Sequence, residues 1–492
     1  MKENNLVSYV ISATKWSAIT QVVEKLVMPL SNMILARILT PEAFGVVATV
    51  TMIISFVDMF TDAGFQKYLI QHEFKDENEK YNNANVAFIT NFTLSIILWG
   101  IIALSRHEIA RLVGDPSLGN VIAIACSQLI LTSFSSIQMA LFRRDFDFKT
   151  LFTVRVISIS VPFLITLPLA LLGLNYWSII IGNIFMQFLN AFLLTIKSNW
   201  KPQFFYDFKL LKEMISFTIW TLIESISIWL TTWVDAFIIG SLLTQYYLGL
   251  YKTSTSMVNA LMAVITSSTV TVLFSTLSRL QNDNNKFKNV FLKFQRTASI
   301  LIFPLGTGIY LYRDLATQVI LGNQWKEASE IIGVWALTSS IMVVFGHYFS
   351  EVYRAKGKPK LSFIAQVLHL VVLVPACIIS SKYGFWALIY TRSWIRMQFI
   401  IVHFIIMKFI IGIPILKIIK NVLPTGISSI AMGILGFFLQ RLNSGIIWTA
   451  FSAVICALFY FGLLCLSPNL RKEMFGLCKS ILIKNNIDFE KV

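Results

Sequence analysis

Apolar runs of about 18 residues or more recur along nearly the whole chain, separated by short polar segments. This pattern predicts fourteen membrane-crossing spans, centred near residues 24, 56, 94, 131, 161, 186, 228, 259, 305, 341, 371, 397, 430 and 456. The spans should be helices, because hydrocarbon gives backbone N–H and C=O groups nothing to bond. A closed barrel would need shorter segments alternating with period two, a pattern the chain lacks. The longest polar stretches are "HEFKDENEKYNN" at 72–83, Lys197 to Glu213, and Arg279 to Arg296. None could hold a soluble catalytic domain, which takes about 50 residues or more. Between Leu280 and Phe294, phenylalanines alternate with lysines in a way that predicts an amphipathic helix lying along the inner membrane surface.

The pattern is also duplicated. "ISATKW" begins at Ile11 and "ISFTIW" at Ile215, 204 residues later. "LARILTPEAFG" ends at Gly45 and "IGSLLTQYYLG" ends at Gly249, in the same register. Further on, "RRDFDFKTLF" from Arg143 lies over "RAKGKPKLSF" from Arg354, and "NYWS" around Trp177 over "GFWA" around Trp386. Spans one to six thus correspond to spans seven to twelve. An even number of spans per unit makes the repeats parallel, a plan common among secondary transporters. The expected divisions are an N-lobe at 1–208, a C-lobe at 209–412, two accessory spans at 413–467 and a tail at 468–492.

Composition agrees with this class. The chain is 56% apolar and 13% charged, with a mean hydropathy of +0.70, whereas soluble domains have roughly a quarter of their residues charged. The net charge of +16 does not point to nucleic acid. Most Lys and Arg fall in alternate connecting segments, the asymmetry of the positive-inside rule, which predicts that both termini are cytoplasmic. Lys15, Lys25, Arg155, Arg392 and Arg396 lie instead at membrane depth or close to it. The five cysteines show no C-x-x-C pair and predict thiols, not a metal site or disulfide framework. The first span reads as a retained helix, not a cleaved signal peptide.

No phosphate-cradling G-x-x-x-x-G-K-[ST] loop, H-E-x-x-H or zinc-spaced Cys/His cluster occurs. Neither a cofactor nor a metal is expected. Energy would then come from an ion gradient, with H+ or Na+ as the coupling ion, from the membrane potential, or from consumption of the product. The informative residues are polar stripes inside apolar spans. Span one carries Thr14, Ser17, Gln21, Lys25 and Asn32, flanked by Lys15 and Glu24. Span two has Thr51, Ser55, Asp58, Asp62 and Gln66; span seven has Glu224, Thr231 and Asp235. Span eight has Lys252, Ser256, Asn259 and Thr266, and span twelve Arg392, Arg396 and His403. A charge at bilayer centre costs roughly 2.5–3.5 kcal/mol on insertion scales, so such stripes face a bundle interior or a wet cavity. Taken singly, each has a structural reading too: Glu24 with Lys25, or Asp58 with a cation of span one, could be ion pairs holding helices together. Taken together, they predict a cleft between the lobes.

The strings "KWSAI" (15–19), "LARILTPEAFG" (35–45), "TDAGFQKYLIQ" (61–71), "ALFRRDFDFKTL" (140–151) and "LGNQW" (321–325) resemble polysaccharide transporters of the multidrug/oligosaccharidyl-lipid/polysaccharide flippase superfamily. The colanic-acid and teichuronic-acid exporter type is the nearest subgroup, and the likeness runs from about residue 8 to 410. It implies an all-α, V-shaped, two-lobed bundle in a bacterial inner membrane. The implied activity is movement of polyprenyl-pyrophosphate-linked oligosaccharide units from the inner to the outer leaflet, by a monomer working beside a polysaccharide polymerase and export machinery. Cationic residues of spans one, two and eight meet the pyrophosphate in relatives that flip a peptidoglycan precursor. Here that implies Lys15, Lys25 and Arg37 on span one and Lys252 on span eight. Span two departs from the pattern with acids, so Arg392 and Arg396 are further candidates. Glu24, Asp58, Asp62, Glu224 and Asp235 are the candidates for ion coupling or gating.

Two rival readings remain at this point. A cation-coupled drug exporter of the same superfamily would need acidic or aromatic walls for cationic cargo. A membrane enzyme, such as a glycan polymerase or acyltransferase, should show a large outer loop or converging catalytic residues, and the chain shows neither.

Overall fold

The computed structural model describes residues 3–62, 64–443, 445–468, 470–471 and 473–474; within these, the side chains of 3–14, 18, 62, 216–221, 224, 268 and 271 are not described. The expected roles of Asp62, Glu224 and Thr14, and the thiol of Cys478, therefore lie outside the described residues. The described chain is helices and turns, without a strand.

In chain order the helices of the first repeat are α1 (Glu3–Ile38), α2 (Pro41–Asp62), the short α3 (Phe65–Gln71), α4 (Glu77–Leu104), α5 (Arg106–Leu112), α6 (Gly119–Cys126), α7 (Gln128–Arg144), α8 (Phe148–Ile159), α9 (Leu167–Leu171) and α10 (Tyr176–Lys197). The second repeat comprises α11 (Phe208–Leu242), α12 (Gln245–Arg279), α13 (Asn284–Leu311), α14 (Arg313–Ile320), α15 (Ala328–Met342), α16 (Tyr348–Ala355), α17 (Lys360–Ser381), α18 (Phe385–Trp394) and α19 (Arg396–Ile406). After them come α20 (Ile415–Leu442) and α21 (Ile446–Cys465). The duplication reaches fine detail. Helix α5 matches α14, and the 3-10 turn Pro116–Leu118 matches Asn323–Trp325. In the place of the separate α3, the second repeat has the bent C-terminal part of α12, which runs on to Arg279. The last two helices have no counterpart.

Each of the fourteen predicted centres falls in a helical segment. Among the described residues, eleven helices are long and apolar enough to cross a membrane, or twelve if the bent α12 is one span. The count of fourteen is therefore not reached on length and apolarity. The two that fall short, α1 and α13, are diluted by Gln21, Glu24 and Lys25 and by Lys286, Lys288, Lys293 and Arg296 respectively. The chain is a multi-pass membrane protein.

Aspartates start several helices. Asp76, Asp147, Asp207 and Asp283 each accept backbone N–H groups of the first turn, a cap worth about 1 kcal/mol. At Asp283 the N–H of Lys286 is the main reason that its carboxyl is held below the usual carboxylate range. This cap corrects the expectation for 280–294. Instead of a separate surface helix, α13 runs unbroken from Asn284, and its Phe287 and Phe291 are buried. Phe291 packs edge-on to Phe349 of α16 at 5.7 Å. Lys356, just beyond α16, covers the Phe287 ring at 4.4 Å and donates to the Gln281 carbonyl at 2.6 Å. Burial, with Lys288 and Lys358 nearby, holds the Lys356 ammonium below the ordinary lysine value. An apolar stripe of period 3.6 looks the same whether it faces lipid headgroups or protein, so periodicity could not separate the two.

The chain divides into two compact units: residues 1–253 with 377–387, and residues 254–376 with 388–492. Inside the first, α2 and α12 meet at their N-terminal ends in a reciprocal contact. A Cβ on Gly45 would stand 1.8 Å from the carbonyl oxygen of Gln245, and one on Gly249 would stand 1.7 Å from that of Pro41. Pro41 and Gln245 are repeat equivalents, as are Gly45 and Gly249, so each helix presents its glycine to the other's first residue. Thr49 adds a buried hydrogen bond to Gln245 Oε1 at 2.9 Å. The same unit seats α3 through Arg144, whose guanidinium donates to the carbonyls of Leu69, Ile70 and His72 at 2.8, 3.3 and 2.6 Å. These are carbonyls at the C-terminal end of the helix, where a cation is favoured.

Two outcomes follow for thermal melting of purified protein in detergent. Gly45→Val or Gly249→Val should destabilise by about 3 kcal/mol or more, because backbone must move to admit the side chain. Gly100→Ala, with nothing within 4 Å of its Cβ, should be neutral or slightly stabilising; equal melts for all three would contradict the crossing. Arg144→Ala should cost roughly 2–3 kcal/mol, and Arg144→Lys should restore only part of it, since an ammonium lacks the planar fork.

Candidate functional site

The first unit contains a cavity of about 930 Å³. Its walls come from α1, α2, α3, α4, α7, α8, α10 and α11, and hydroxyls and amides dominate them. On α1 these are Ser17, Thr20 and Gln21, with Glu24 below; on α2 they are Ser55 and Thr61, with Asp58. Asn91, Thr132, Ser135, Ser136, Gln187 and Asn190 continue the lining. The spacing explains the wall: residues three and four apart share a helix face, so each stripe turns one polar side inward and leaves apolar sides for lipid or packing.

Five charged residues line the cavity: Glu24, Asp58, Lys67, Arg143 and Arg155. Glu24 of α1 and Arg155 of α8 form an ion pair through carboxylate Oε1 and guanidinium Nε, each side chain 33% exposed. Earlier on α1, Trp16 packs against Phe152 of α8 at 4.9 Å and fixes the two helices together. One turn beyond Arg155, Ser158 donates to Asn190 Oδ1 at 2.5 Å, and Asn190 donates to Gln187 Oε1 at 3.4 Å. At another part of the wall, Arg143 donates to Gln66 Oε1 and Gln66 donates to Ser136 Oγ, both at 3.1 Å. Gln66 and Lys67 are presented by α3, whose opposite side is buried: Phe65, Tyr68 and Leu69 pack with Phe88, Ile137 and Trp200. Burial pushes the Tyr68 phenol up, with Glu213 and Glu79 adding to the effect. On α11, Ser225 lines the cavity, and Trp229 donates to Ser55 Oγ at 3.1 Å.

The structure gathers some of the sequence candidates and separates others. Ser17, Gln21, Glu24, Ser55, Asp58 and Gln66 share this cavity. The partner of Glu24 is Arg155, not Lys25. Lys25 is half-buried, while Lys15 and Arg37 are exposed, and none of the three lines the cavity. Lys252 lies over the Trp233 ring at 3.9 Å and donates to the Thr232 carbonyl at 3.3 Å. Asp235 is buried and already engaged: Tyr251 donates to its Oδ2 at 2.6 Å and the Ala236 N–H to its Oδ1 at 2.7 Å. That arrangement joins α11 to α12.

Arg392 and Arg396 belong to the second unit. Both guanidiniums stand over Trp335, at 5.2 and 4.2 Å, and Arg396 donates to Ser339 Oγ at 2.7 Å. Trp335 in turn donates to Asn259 Oδ1 at 3.1 Å. His403 of the same unit is fully buried, and its Nδ1 pairs with the Tyr353 hydroxyl at 2.9 Å. Three cavity cations, Lys67, Arg143 and Arg155, were not among the sequence candidates. Lys67 and Arg143 sit inside the strings "TDAGFQKYLIQ" and "ALFRRDFDFKTL", which was the available signal; Arg155 stood out only by its depth. No cluster of three or more metal-ligating side chains occurs among the described residues, and no cysteine among them forms a disulfide.

Residues 34–330 match the family described as "Polysaccharide biosynthesis protein". An uncharacterized membrane protein in the cps region of Klebsiella pneumoniae is 21% identical over 96% of this chain and 99% of its own length. The lipopolysaccharide biosynthesis protein WzxC of Escherichia coli (strain K12) is 20% identical over 86% of this chain and 87% of its own. Among solved structures, lipid II flippase MurJ in an inward closed conformation superposes with a TM-score of 0.77 at 15% identity, covering 91% of this chain and 98% of that one. At that identity the likeness speaks for the fold. The family match, which spans more than half of the sequence, decides the rest: the chain belongs to the polysaccharide biosynthesis protein family.

Proposed function

We propose that the protein moves oligosaccharide repeat units, linked to a polyprenyl pyrophosphate, from the inner to the outer leaflet of a bacterial cytoplasmic membrane by alternating access. The observation that carries this reading is the cavity: hydroxyls, amides and three cations gathered between helices that are otherwise apolar. A hydrated glycan cannot cross about 30 Å of hydrocarbon, whereas a polyprenyl tail can stay in it. A volume of about 930 Å³ lies at the upper end of small-ligand pockets, roughly 300–1,000 Å³, which leaves room for several sugar rings. Sugar hydroxyls both donate and accept, and Ser, Thr, Asn and Gln side chains answer both roles.

The reaction is transport without covalent chemistry, and the protein is not an enzyme. Within the first unit the pyrophosphate falls to Lys67, Arg143 and Arg155, which line the cavity, in preference to Lys15, Lys25 and Arg37, which do not. Arg392 and Arg396 form a second cationic feature on the other unit. Asp58, which lines the cavity, is the carboxylate assigned to H+ or Na+ coupling, whereas Asp235 does not line it. An inside-negative potential alone favours outward movement of an anion by roughly 2.3 kcal/mol per charge per 100 mV. Both termini face the cytoplasm, the protein acts as a monomer, and its product passes to a polymerase and export machinery. Cationic drugs are a poor fit, because three cations against two acids in the wall would repel them.

Depletion in the native host, followed by an assay of which leaflet holds the lipid-linked oligosaccharide, tests this. Accumulation on the cytoplasmic side is expected, with rescue by the wild type. A Lys67→Ala/Arg143→Ala double variant, present at normal levels, should transport about tenfold more slowly or worse. Accumulation of unpolymerised units on the outer face, or no change in glycan lipids, would overturn the reading.

A further inference from the structure

We infer that Glu24 is an internal stand-in for an anionic group of the cargo, occupying Arg155 while the cavity is empty and giving it up when the cargo enters. The cargo group would be a diphosphate or a sugar carboxylate, both of which present oxygens to a guanidinium in the same way.

Four observations support this. Both partners line the cavity, so the pair is formed at its wall and can be reached from inside it. Each side chain is 33% exposed, unlike the buried and doubly bonded Asp235, so a third group has access to the guanidinium. The pair is made through the Arg155 Nε and a single Glu24 oxygen; a guanidinium has five N–H donors, and those on its terminal nitrogens are not used by this bond. Finally, the neighbourhood supplies further amide donors of the kind an anion needs: Gln21 precedes Glu24 on α1, and Gln187 and Asn190 of α10 line the same cavity.

The electrostatics explain why such a stand-in is needed. A bare guanidinium within the span Phe148–Leu171 would be costly whenever the cavity holds no anion. A carboxylate supplied by the protein neutralises it, and an incoming anion replaces one negative charge with another. The exchange weakens apparent binding, because the site is competent only for the fraction of time that Glu24 is released. A carrier gains from this: a cation held fully available would retain its anion and slow delivery. Removing Glu24 should therefore tighten anion binding, the reverse of what loss of a structural ion pair does. For a merely structural pair, deleting either partner leaves the other uncompensated and both deletions do harm.

The inference rests on the transport reading only for the nature of the cargo, since the anion site is read by binding alone. Titration calorimetry on the purified full chain, with inorganic pyrophosphate and with glucuronate as separate probes, makes the test. Glu24→Gln keeps the shape and a hydrogen-bond acceptor for Arg155, and it should bind one probe about tenfold more tightly than wild type. Arg155→Gln, and the double variant, should show no binding of that probe. Glu24→Asp, which shortens but keeps the carboxylate, should fall between wild type and Glu24→Gln, and it serves as the test if Glu24→Gln fails to fold. Tightening for pyrophosphate assigns the diphosphate; tightening for glucuronate alone assigns a sugar carboxylate. Weaker or unchanged binding of both probes by Glu24→Gln or Glu24→Asp, or no binding of either by any form, overturns the stand-in. Leaflet transport in cells, measured separately, would be untouched by that failure.

Discussion

Hydrocarbon gives polar groups nothing to bond, and every polar side chain on these helices has to find its partner inside the protein. That constraint organises the first unit. Serine, threonine, asparagine and glutamine on seven of the helices that wall the cavity turn toward it, and the apolar sides turn outward. The charges obey the same rule with less latitude. Glu24 meets Arg155, Arg143 meets Gln66, and Asp235 meets Tyr251. The cavity exists because polar stripes from several helices are gathered in one place, and its chemistry is what those stripes contain.

The duplication gives the scaffold its regularity, and one contact shows how literally. Glycines 45 and 249 occupy the same place in their repeats, and each is pressed against the first residue of the other helix. Only a residue without a Cβ permits backbones to approach so closely, as small residues commonly do at helix crossings in membranes. The second repeat then drifts from the first where function can differ: α3, which presents Gln66 and Lys67 to the cavity, is a separate helix, whereas the equivalent stretch of the second repeat continues α12 after a bend.

Much of this was legible in the sequence, for identifiable reasons. Apolar runs report helices directly, and all fourteen centres lie in helical segments. The repeat was visible in "ISATKW" and "ISFTIW" because register survives divergence at a few positions. The polar stripes of α1 and α2 supply Ser17, Gln21, Glu24, Ser55 and Asp58, and α3 supplies Gln66, to a cavity inside the first unit, where the sequence had suggested a cleft between lobes. Partners were harder. Glu24 and Lys25 are adjacent in sequence, yet neighbours on a helix point about 100° apart, and the true partner lies 131 residues away. Asp235 showed as a carboxylate at membrane depth, but nothing in the spacing said that Tyr251 would close it. Lys67 and Arg143 were inside strings that carry the family resemblance, but their convergence is a tertiary fact. The stripe from Leu280 to Phe294 misled because burial against protein and burial against a membrane surface leave the same periodicity.

The central claim is that this polar cavity carries a glycan headgroup across the bilayer. Proteoliposomes containing a polyprenyl-pyrophosphate oligosaccharide with a fluorescent sugar, challenged with a membrane-impermeant quencher, test it most directly. The account predicts that reconstituted protein lets nearly all of the fluorescence be quenched, while protein-free vesicles retain the protected inner half. Protection of that half in both preparations would contradict it.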